Sequence, residues 1–525
     1  AEEQLERHFF RRLGRLIEVR WFVASWLLLM LFLIGTVVLQ TLSLTKDYAS
    51  LQPVPGGTFT EGLLGSFTDA NPLYATGLVD SSVSKLLFAS LFKIDQSGKL
   101  VGDLASKWTV DDRAVVYTVY LRDNLKWHDG QALTADDAVF TYQTIQNADT
   151  KSPLFSSWRG ISVVATNSRT ITFTLPNALG SFPYSLTNGI VPKHLLRDVP
   201  ANQLRSIRFN SVNPVGSGPF MWERVEVSGD SPETREEQIG LIPFKQYYGG
   251  VPKLDHFTLR SFHDQKQMIT SFQHGELNAI VGLDSLPDML KKDTTIVEYN
   301  VPLAGEVAVF LKTSDELFQD TRIRLALTRA TNQQAVLKSL GYPVVGANEP
   351  LLRGQPGYDK TLAQQSYNMA AANSLLDEAG WARGKDGLRF KNGKALGFNL
   401  FAPSTSEATI VSQQLQQQWR RLGIDAHVQL EPTPDLQGVI ARHDYDALLY
   451  GISIGPDPDV FVYWHSSQAD PHSSNRLNLS EYKSPLADKA LEAGRSRTDV
   501  KVRVIKYRPF LEAWPSANPG LQSVD

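Results

Sequence analysis

A long apolar segment near the N-terminus constrains this chain more than any other feature. Residues Trp21 to Gln40 carry no formal charge, and about 20 apolar residues in a helix span the hydrocarbon core of a bilayer. Arginines are frequent just before the segment, among them Arg11, Arg12, Arg15 and Arg20. Since only Lys46 follows closely, the positive-inside rule predicts a cytoplasmic stub at 1–20, a transmembrane anchor at 21–41 and an extracytoplasmic remainder in the cell membrane.

Two other interpretations of this segment fit less well. A cleaved signal peptide usually has a shorter apolar region and an A-x-A site after it, which this sequence does not show. A buried helix of a soluble protein is disfavoured because no face of the segment is polar. Residues 42–55 are expected to form a short stalk, because Pro53, Pro55 and the pair Gly56-Gly57 interrupt regular structure.

The rest of the chain has the composition of a globular protein. With 525 residues it is expected to form two or three domains, and its 42% hydrophobic and 20% charged residues exclude a disordered chain. A net charge of -3 without a basic stripe argues against a nucleic-acid partner. The absence of cysteine excludes disulfides, thiolate nucleophiles and lipid attachment through an N-terminal cysteine.

The common motifs of phosphate, dinucleotide and zinc-protease sites are missing from the sequence. There is no GxxxxGK[ST], GxGxxG or HExxH segment. The ten histidines are scattered, and no two stand four residues apart. We therefore expect no enzyme activity, no catalytic residues, no metal site built from side chains and no cofactor.

Alternating strand and helix patterns predict an α/β fold. Val115 to Leu121 is rich in β-branched and aromatic residues, as strands are, and Thr134 with Asp137 predicts a capped helix start. Gly380 is expected to end a helix that begins at Met369. Farther on, the pattern predicts strand 396–401, helix 408–422, strand 424–430 and strand 447–452, with some parallel pairing. Four residues share one face of that helix: Val411, Leu415, Trp419 and Leu422.

Several motifs in a fixed order resemble the family 5 extracellular solute-binding proteins, which are the dipeptide, oligopeptide and nickel receptors of ABC importers. The match covers nearly all of the chain beyond the apolar segment. Its motifs are Gly98–Leu100, Asp103–Trp108, Leu121-Arg122, Lys126–Gly130 (KWHDG), Leu133–Asp137 (LTADD), Asn213–Phe220 (NPVGSGPF), Tyr247–Asp255 (YYGGVPKLD), His274–Leu277 (HGEL), Tyr367–Trp381 and Gly455–Gln468 (GPDPDVFVYWHSSQ).

The resemblance implies a periplasmic-binding-protein-like fold of two α/β lobes joined by crossover strands. Lobe I would contain 56–91 and 189–290, an extra subdomain 92–188, and lobe II 291–490. The tail 491–525 is expected to return to lobe I in shortened form. The implied ligand is an extended peptide enclosed by hinge closure, and the implied partners are ABC permease subunits, with the receptor itself a membrane-tethered monomer. A metal chelate or oligosaccharide ligand, or a sensor or scaffold role without transport, remains an alternative.

The resemblance also places the cleft. The backbones of Ile452, Ser453, Ile454 and Gly455 are expected to border the ligand. Trp158 would form an aromatic wall, and Trp464 and His465 are further candidates, with a core role and a turn cap as their respective alternatives. Asp457 and Asp459 are expected to brace the loop rather than touch the ligand.

One departure from the family pattern bears on the ligand. In peptide-binding relatives, an aspartate four residues before the proline of the Asp-Pro motif captures the ligand's ammonium group. Here that proline is Pro458 and the equivalent position is Ile454. Either another carboxylate substitutes, or the ligand is blocked, internal to a longer peptide, or not a peptide.

Overall fold

A computed structural model of the protein describes residues 19–48, 54–229, 235–283, 285–299, 304–470 and 476–524. The chain divides into two compact units, Ala1–Gly57 and Thr58–Asp525. Almost all of the expected cytoplasmic stub lies outside the described residues.

The first unit is represented by one long helix, α1 (Arg20–Tyr48). Its part Arg20–Ser43 is long and apolar enough to cross a membrane, and its most apolar window has no buried residue. The helix continues past 41 into the segment that was expected to be a stalk. The helix reaches Tyr48 because no Gly or Pro interrupts the backbone hydrogen bonding between 41 and 48. Residues 49–53 lie outside the described ranges, and the stalk at 42–55 stays a prediction.

The second unit alternates strands and helices. The strands are β1 Thr58–Leu64, β2 Phe92–Ile94, β3 Leu100–Gly102, β4 Ala105–Val110, β5 Val116–Leu121, β6 Ser162–Asn167, β7 Thr170–Thr174, β8 Phe220–Ser228, β9 Glu236–Pro243, β10 His256–Phe262, β11 Ala279–Val281, β12 Gly305–Leu311, β13 Ala382–Arg383, β14 Arg389–Lys391, β15 Lys394–Ala395, β16 Gly397–Pro403, β17 Asp425–Glu431, β18 Ala447–Ser453 and β19 Gly520–Val524.

Its helices connect these strands and cover the sheets. The α-helices are α2 Leu78–Leu87, α3 Ala135–Ile145, α4 Lys193–Leu196, α5 Gln265–Gln273, α6 Thr321–Ala330, α7 Gln333–Leu340, α8 Met369–Glu378, α9 Ser406–Leu422, α10 Thr433–Arg442, α11 Phe461–Trp464, α12 Pro485–Arg495 and α13 Val500–Ala517. Short 3-10 helices cover Ala148–Thr150, Phe155–Trp158, Phe182–Thr187, Ala201–Ser206, Arg208–Asn210, Lys360–Leu362 and Ser466–Ala469.

The first lobe is built on a five-stranded sheet in the order β11-β1-β10-β9-β8. Strand β1 pairs in parallel with both β10 and β11, whereas β9 is antiparallel to its neighbours β10 and β8. Next to it, a four-stranded sheet in the order β4-β5-β7-β6 forms a subdomain. One continuous core joins the two, since Leu63 and Leu259 of the first sheet belong to the same buried cluster as Tyr117 and Phe173 of the second.

Two of the sequence motifs meet at the junction of the first lobe and the subdomain. His128 of the KWHDG motif accepts a hydrogen bond at Nδ1 from the Gly216 N–H (3.1 Å) and faces the Gly218 carbonyl with Nε2 (3.1 Å). This geometry requires the neutral ring with its proton on Nε2. Burial lowers the pKa of His128 to about 4, although its bond to Gly218 acts in the opposite direction.

The second lobe is built on a sheet in the order β17-β16-β18-β12-β19. Strand β16 is parallel to both β17 and β18, so the predicted strand–helix–strand pattern and its parallel pairing are confirmed. The four residues predicted to share a face of α9 are all buried there. Buried residues cover both faces of this sheet, with Val309 and Leu449 on one side and Phe310 and Leu448 on the other.

The predicted helix ends are also confirmed. Thr134 and Asp137 form a capping box at the start of α3. Gly380 follows α8 with φ +82°, a left-handed conformation that side chains rarely adopt.

The tail 491–525 does not return to the first lobe, which corrects the expectation. Residue 491 lies inside α12, and α13 buries Tyr507, Phe510 and Trp514 in the core beneath the second-lobe sheet. Strand β19 then pairs antiparallel with β12. The tail remains with the second lobe because β19 pairs with the otherwise open edge of β12 and because the aromatic side chains of α13 are buried in the core beside that edge.

Candidate functional site: the carboxyl ends of the parallel strands

Both lobes contain parallel strands whose carboxyl ends open onto loops. In the first lobe these are the ends of β1 and β10, at Leu64 and Phe262. In the second lobe they are the ends of β16, β17 and β18. Ligands of open α/β sheets bind outside the carboxyl ends of such strands, so these loops form the candidate site.

The end of β18 brings four of the expected site residues together. Ile452 is buried, Ile454 and Gly455 are half-buried, and Ser453 is exposed. The N–H groups of Ile454 and Gly455 both donate to the Ala304 carbonyl, at 2.9 Å each. In this conformation those two donors therefore hold the end of β18 to the segment that enters β12.

A buried carboxylate lies beside this strand end and was not anticipated from the sequence. Glu306 of β12 is directly opposite Ile452 in the ladder and is only 3% exposed. Opposite residues of an antiparallel pair point to the same face, and Ile454, directly after β18, packs against the same buried cluster as Ile452. The signal in the sequence was a single acidic residue in an otherwise apolar strand, GEVAVFL.

Tyr463 closes the same corner of the site. Its hydroxyl donates to the Ser453 carbonyl at 2.5 Å. Burial raises the pKa of Tyr463, and the negative charge of Glu306 raises it further. The neutral hydroxyl is thus maintained as a donor that fixes the last residue of β18.

The loop after β18 is braced by buried ion pairs, as expected for Asp457 and Asp459. Both Arg503 amino groups donate to the Asp457 carboxylate at 2.6 Å, and Arg495 approaches Asp459 at 3.2 Å. Burial alone would lower the pKa of Arg503, but the bonds to Asp457 outweigh burial and raise it. Burial raises the pKa of Asp459, against the opposing charge of Arg495.

A glutamine holds the other side of this loop. Gln355 Nε2 donates to the Gly455 carbonyl at 2.7 Å, and its Oε1 accepts from the Leu352 N–H at 2.8 Å. The loop is therefore fixed from both sides before any ligand is considered.

Trp158 lies in the core of the subdomain and not on a cleft wall, which corrects the expectation. It is only 2% exposed and stacks on Tyr142 with ring centroids 4.2 Å apart. Phe173 and Phe182 pack against it from other directions. An aromatic side chain enclosed by three aromatic neighbours has no surface left to offer a ligand in this conformation.

Trp464 and His465 are also buried among other protein groups. Trp464 is fully buried and packs edge-on against Trp514 at 5.3 Å, which is the core role kept as its alternative. His465 Nδ1 accepts from the Ser467 N–H at 3.1 Å and caps the turn Ser466–Ala469. Its ring stacks on Phe461 at 4.1 Å, so it supports the loop after β18 rather than lining an opening.

The first-lobe side of the site carries exposed polar groups. Ser66 Oγ, after β1, lies 2.9 Å from His263 Nε2, after β10. His263 Nδ1 faces the Arg235 carbonyl at 3.0 Å, so Nδ1 carries the proton and Nε2 accepts from Ser66. No motif singled out these residues in the sequence; only the parallel pairing of β1 and β10 brings them together.

A buried acid backs the loop that follows β1. Burial raises the pKa of Asp69 to about 7, and the nearby Asp80 charge raises it too, against the bond that Asp69 accepts from the Asn71 N–H. Asp80 in turn accepts from the N–H and hydroxyl of Thr68, at 2.8 and 2.6 Å. These bonds position the loop; within the described residues, no three His, Asp or Glu side chains gather as metal ligands.

Comparison with known proteins gives a consistent result. Residues 99–473 match the family described as bacterial extracellular solute-binding proteins, family 5. The chain is 28% identical to the oligopeptide-binding protein AppA of Bacillus subtilis, over 88% of this chain and 84% of that protein.

Solved structures extend the match to three dimensions. The AppA structure in complex with a nonapeptide superposes with a TM-score of 0.69 at 27% identity, covering 90% of this chain and 94% of that one. NikZ from Campylobacter jejuni in complex with Ni(L-His) gives a TM-score of 0.69 at 25% identity, covering 89% and 92%.

Proposed function

Since the chain belongs to the bacterial extracellular solute-binding proteins of family 5, we propose that it encloses an extended peptide between its two lobes and delivers it to an ABC importer. The relatives are substrate-binding proteins and not enzymes, which supports a role in binding without chemistry. The two-lobed α/β fold is the common fold of the solved relatives.

One observation carries the peptide assignment: the fold matches, over 90% of this chain, a relative solved with a nonapeptide. A peptide lying across the strand ends can pair its backbone with exposed protein groups, and this pairing gives affinity without reading the sequence. Bridging waters in the side-chain pockets then tolerate many sequences. A ligand that binds the closed form better shifts the open–closed equilibrium toward it.

The charge distribution at the strand end defines the peptide further. Ile454 cannot neutralise a ligand ammonium group, and burying such a group beside it would cost several kcal/mol. Glu306 lies opposite Ile452, and Ile454 packs against the same buried cluster as Ile452. We take Glu306 as the carboxylate that replaces the aspartate missing at position 454. A cationic group of the peptide would then be directed toward β12 rather than toward β18.

A metal chelate is the second candidate ligand. The relative solved with Ni(L-His) superposes as well as the peptide-bound one does, and a chelate needs no carboxylate at position 454. Such a ligand would be held by polar groups of the kind that Ser66 and His263 present at the ends of β1 and β10.

The location and partners belong to the same proposal. The apolar part of α1 is taken as an anchor with the preceding arginines on the cytoplasmic side, which would leave the second unit outside the cell as a monomer near its permease subunits. The predicted boundaries of lobe I (56–91 and 189–290), the subdomain (92–188) and lobe II (291–490) are retained, with the described tail assigned to lobe II.

Identification of the molecules that copurify with the protein tests this proposal. The full chain is extracted in detergent, purified and denatured, and the released small molecules are analysed by mass spectrometry. A heterogeneous set of peptides is expected. A single non-peptide species, or nickel with one organic chelator, would refute peptide binding and support the second candidate.

A further inference from the structure

A short segment after the subdomain sheet touches the second lobe directly. The Gly180 N–H donates to the Arg495 carbonyl at 2.6 Å, and Ser181 Oγ donates to Asp459 Oδ2 at 3.2 Å. One of these bonds joins backbone to backbone, and the other ends on the loop that follows β18.

Rigid elements back this contact on the first-lobe side. The Tyr117 hydroxyl of β5 donates to the Leu179 carbonyl at 2.7 Å, and the Leu179 N–H donates to the Ala114 carbonyl at 3.2 Å. Tyr117 is itself buried in the shared core of the first lobe and the subdomain. Segment 179–181 therefore moves with the subdomain.

The receiving surface on the second lobe is equally well supported. Arg495 pairs with Asp459 at 3.2 Å, and its guanidinium group lies 3.9 Å from the centre of the Phe461 ring. Phe461 stacks in turn on His465. The contact with the aromatic face and the pairing with the carboxylate together restrict the position of the Arg495 guanidinium group.

The approach at Gly180 is too close for any side chain. A Cβ atom placed there would lie 1.8 Å from the Arg497 carbonyl oxygen and 2.7 Å from its carbonyl carbon. The two lobes would have to separate by about 1.6 Å at this point to restore an ordinary contact. Gly180 does not adopt a positive φ, so alanine is compatible with its own backbone and the conflict arises only between the lobes.

The contact is connected to the candidate site through Asp459. The Asp459 N–H donates to Asp457 Oδ1 at 2.9 Å, and Asp457 is held by Arg503. Gly455, at the strand end, is two residues before Asp457. A displacement at Asp459 therefore reaches the strand end through a few tightly bonded residues.

We propose that Gly180 and Ser181 are positioning residues for ligand binding, which act by docking on Arg495 and Asp459 and thereby set the loop after β18 against the first lobe. This inference rests on the proposed function. It adds that the contact at Gly180 and Ser181 makes the shape of the site depend on the distance between the lobes. Neither residue touches the ligand in this mechanism.

The separation of the lobes can be measured without any ligand. Because the chain has no native cysteine, Val164→Cys and Leu486→Cys, both at exposed positions, allow two spin labels to be attached specifically. Gly180→Ala is expected to lengthen or broaden the distance distribution between the labels. The matched control is Gly438→Ala in α10, where a Cβ would meet only the flexible end of Arg442 at 3.4 Å; its distribution should stay that of the parent. Identical distributions for Gly180→Ala and the parent would overturn the inference.

Ser181→Ala provides a variant without added bulk. It should accelerate hydrogen exchange in 455–461 while leaving the thermal unfolding midpoint within the range of the control; unchanged exchange would overturn the inference even if Gly180→Ala failed to fold. Binding of a nonapeptide to the folded variants is then titrated by calorimetry, with weaker affinity expected for Gly180→Ala and Ser181→Ala than for the control. If the parent itself binds no peptide, the proposed function fails, while the distance and exchange results still decide whether this contact couples the lobes.

Discussion

Replacement of Arg503 by methionine should destabilise the second lobe far more than any surface change on the same helix. The Arg503 side chain is 5% exposed and the Asp457 side chain 10%, and two hydrogen bonds of 2.6 Å join them. Arg503→Met leaves the Asp457 carboxylate buried without its cation. Removing one partner of a buried pair typically costs about 3–5 kcal/mol, which is a change of roughly two to three and a half powers of ten in the unfolding equilibrium.

The helix α13 offers a matched control for this change. Arg508 is 56% exposed and bonds Glu512 one turn later at 2.7 Å; such an exposed pair contributes about 0.3–0.5 kcal/mol. Arg508→Met therefore removes an arginine from the same helix with little expected effect. Comparison of the two variants separates the loss of a buried partner from the loss of a positive charge.

Urea unfolding followed by tryptophan fluorescence measures the difference. Trp464 and Trp514 pack together in the core of the second lobe, so they contribute to the change in emission when that lobe unfolds. The double variant Asp457→Asn with Arg503→Met should recover part of the loss, because it removes the stranded charge. Equal transitions for Arg503→Met and Arg508→Met would refute the view that this pair braces the site.

Three further predictions follow from the structure. Ile454→Asp should strengthen binding of peptides with free N-termini by about ten- to hundredfold, since hydrogen bonds to charged groups contribute about 1.5–3 kcal/mol; unchanged affinity in titration calorimetry would contradict the placement of the site. Glu306→Gln should weaken binding of the same peptides. It should also lower the pKa of Tyr463, measured by ultraviolet titration, because the Glu306 charge is one cause of the raised pKa. An unchanged titration of Tyr463 would refute the electrostatic contact between Glu306 and Tyr463. The pKa of His128, lowered from 6.5 to about 4 by burial, means that below pH 6.5 the unfolded chain takes up a proton that the folded chain refuses. The free energy of unfolding should therefore decrease by about 3 kcal/mol as the pH falls from 6.5 toward 4. Thermal unfolding of His128→Gln over the same pH range should lack this part of the decrease.

The local structure of the second unit could be read from the sequence with good accuracy. The capped start of α3, the end of α8 before Gly380 and the strand–helix–strand unit around α9 all follow from periodicity and capping residues, which act over a few neighbouring positions. The order of the motifs along the chain also predicted the family and its fold. These signals are strong because each depends on residues close in sequence or on the order of segments.

The individual side chains of the site were predicted less well. Trp158 and Trp464 are large aromatic residues. Such residues are found both in the walls of ligand pockets and in hydrophobic cores, so the residue type does not distinguish the two roles. Which of the two roles applies depends on what surrounds the ring: Tyr142 and Phe173 for Trp158, and Trp514 for Trp464. None of these neighbours can be identified from spacing alone.

The sequence by itself determined the apolar helix at the N-terminus and the α/β character of the rest, because each is a property of composition or of short-range pattern. Only the tertiary structure decided that Glu306 lies opposite Ile452, that the tail remains with β12, and that Gly180 meets Arg495. Those contacts join residues distant along the chain, and their energies depend on strand register and on close packing between elements. A sequence pattern records which residues can be buried, whereas register and packing select the partners beside which they are buried.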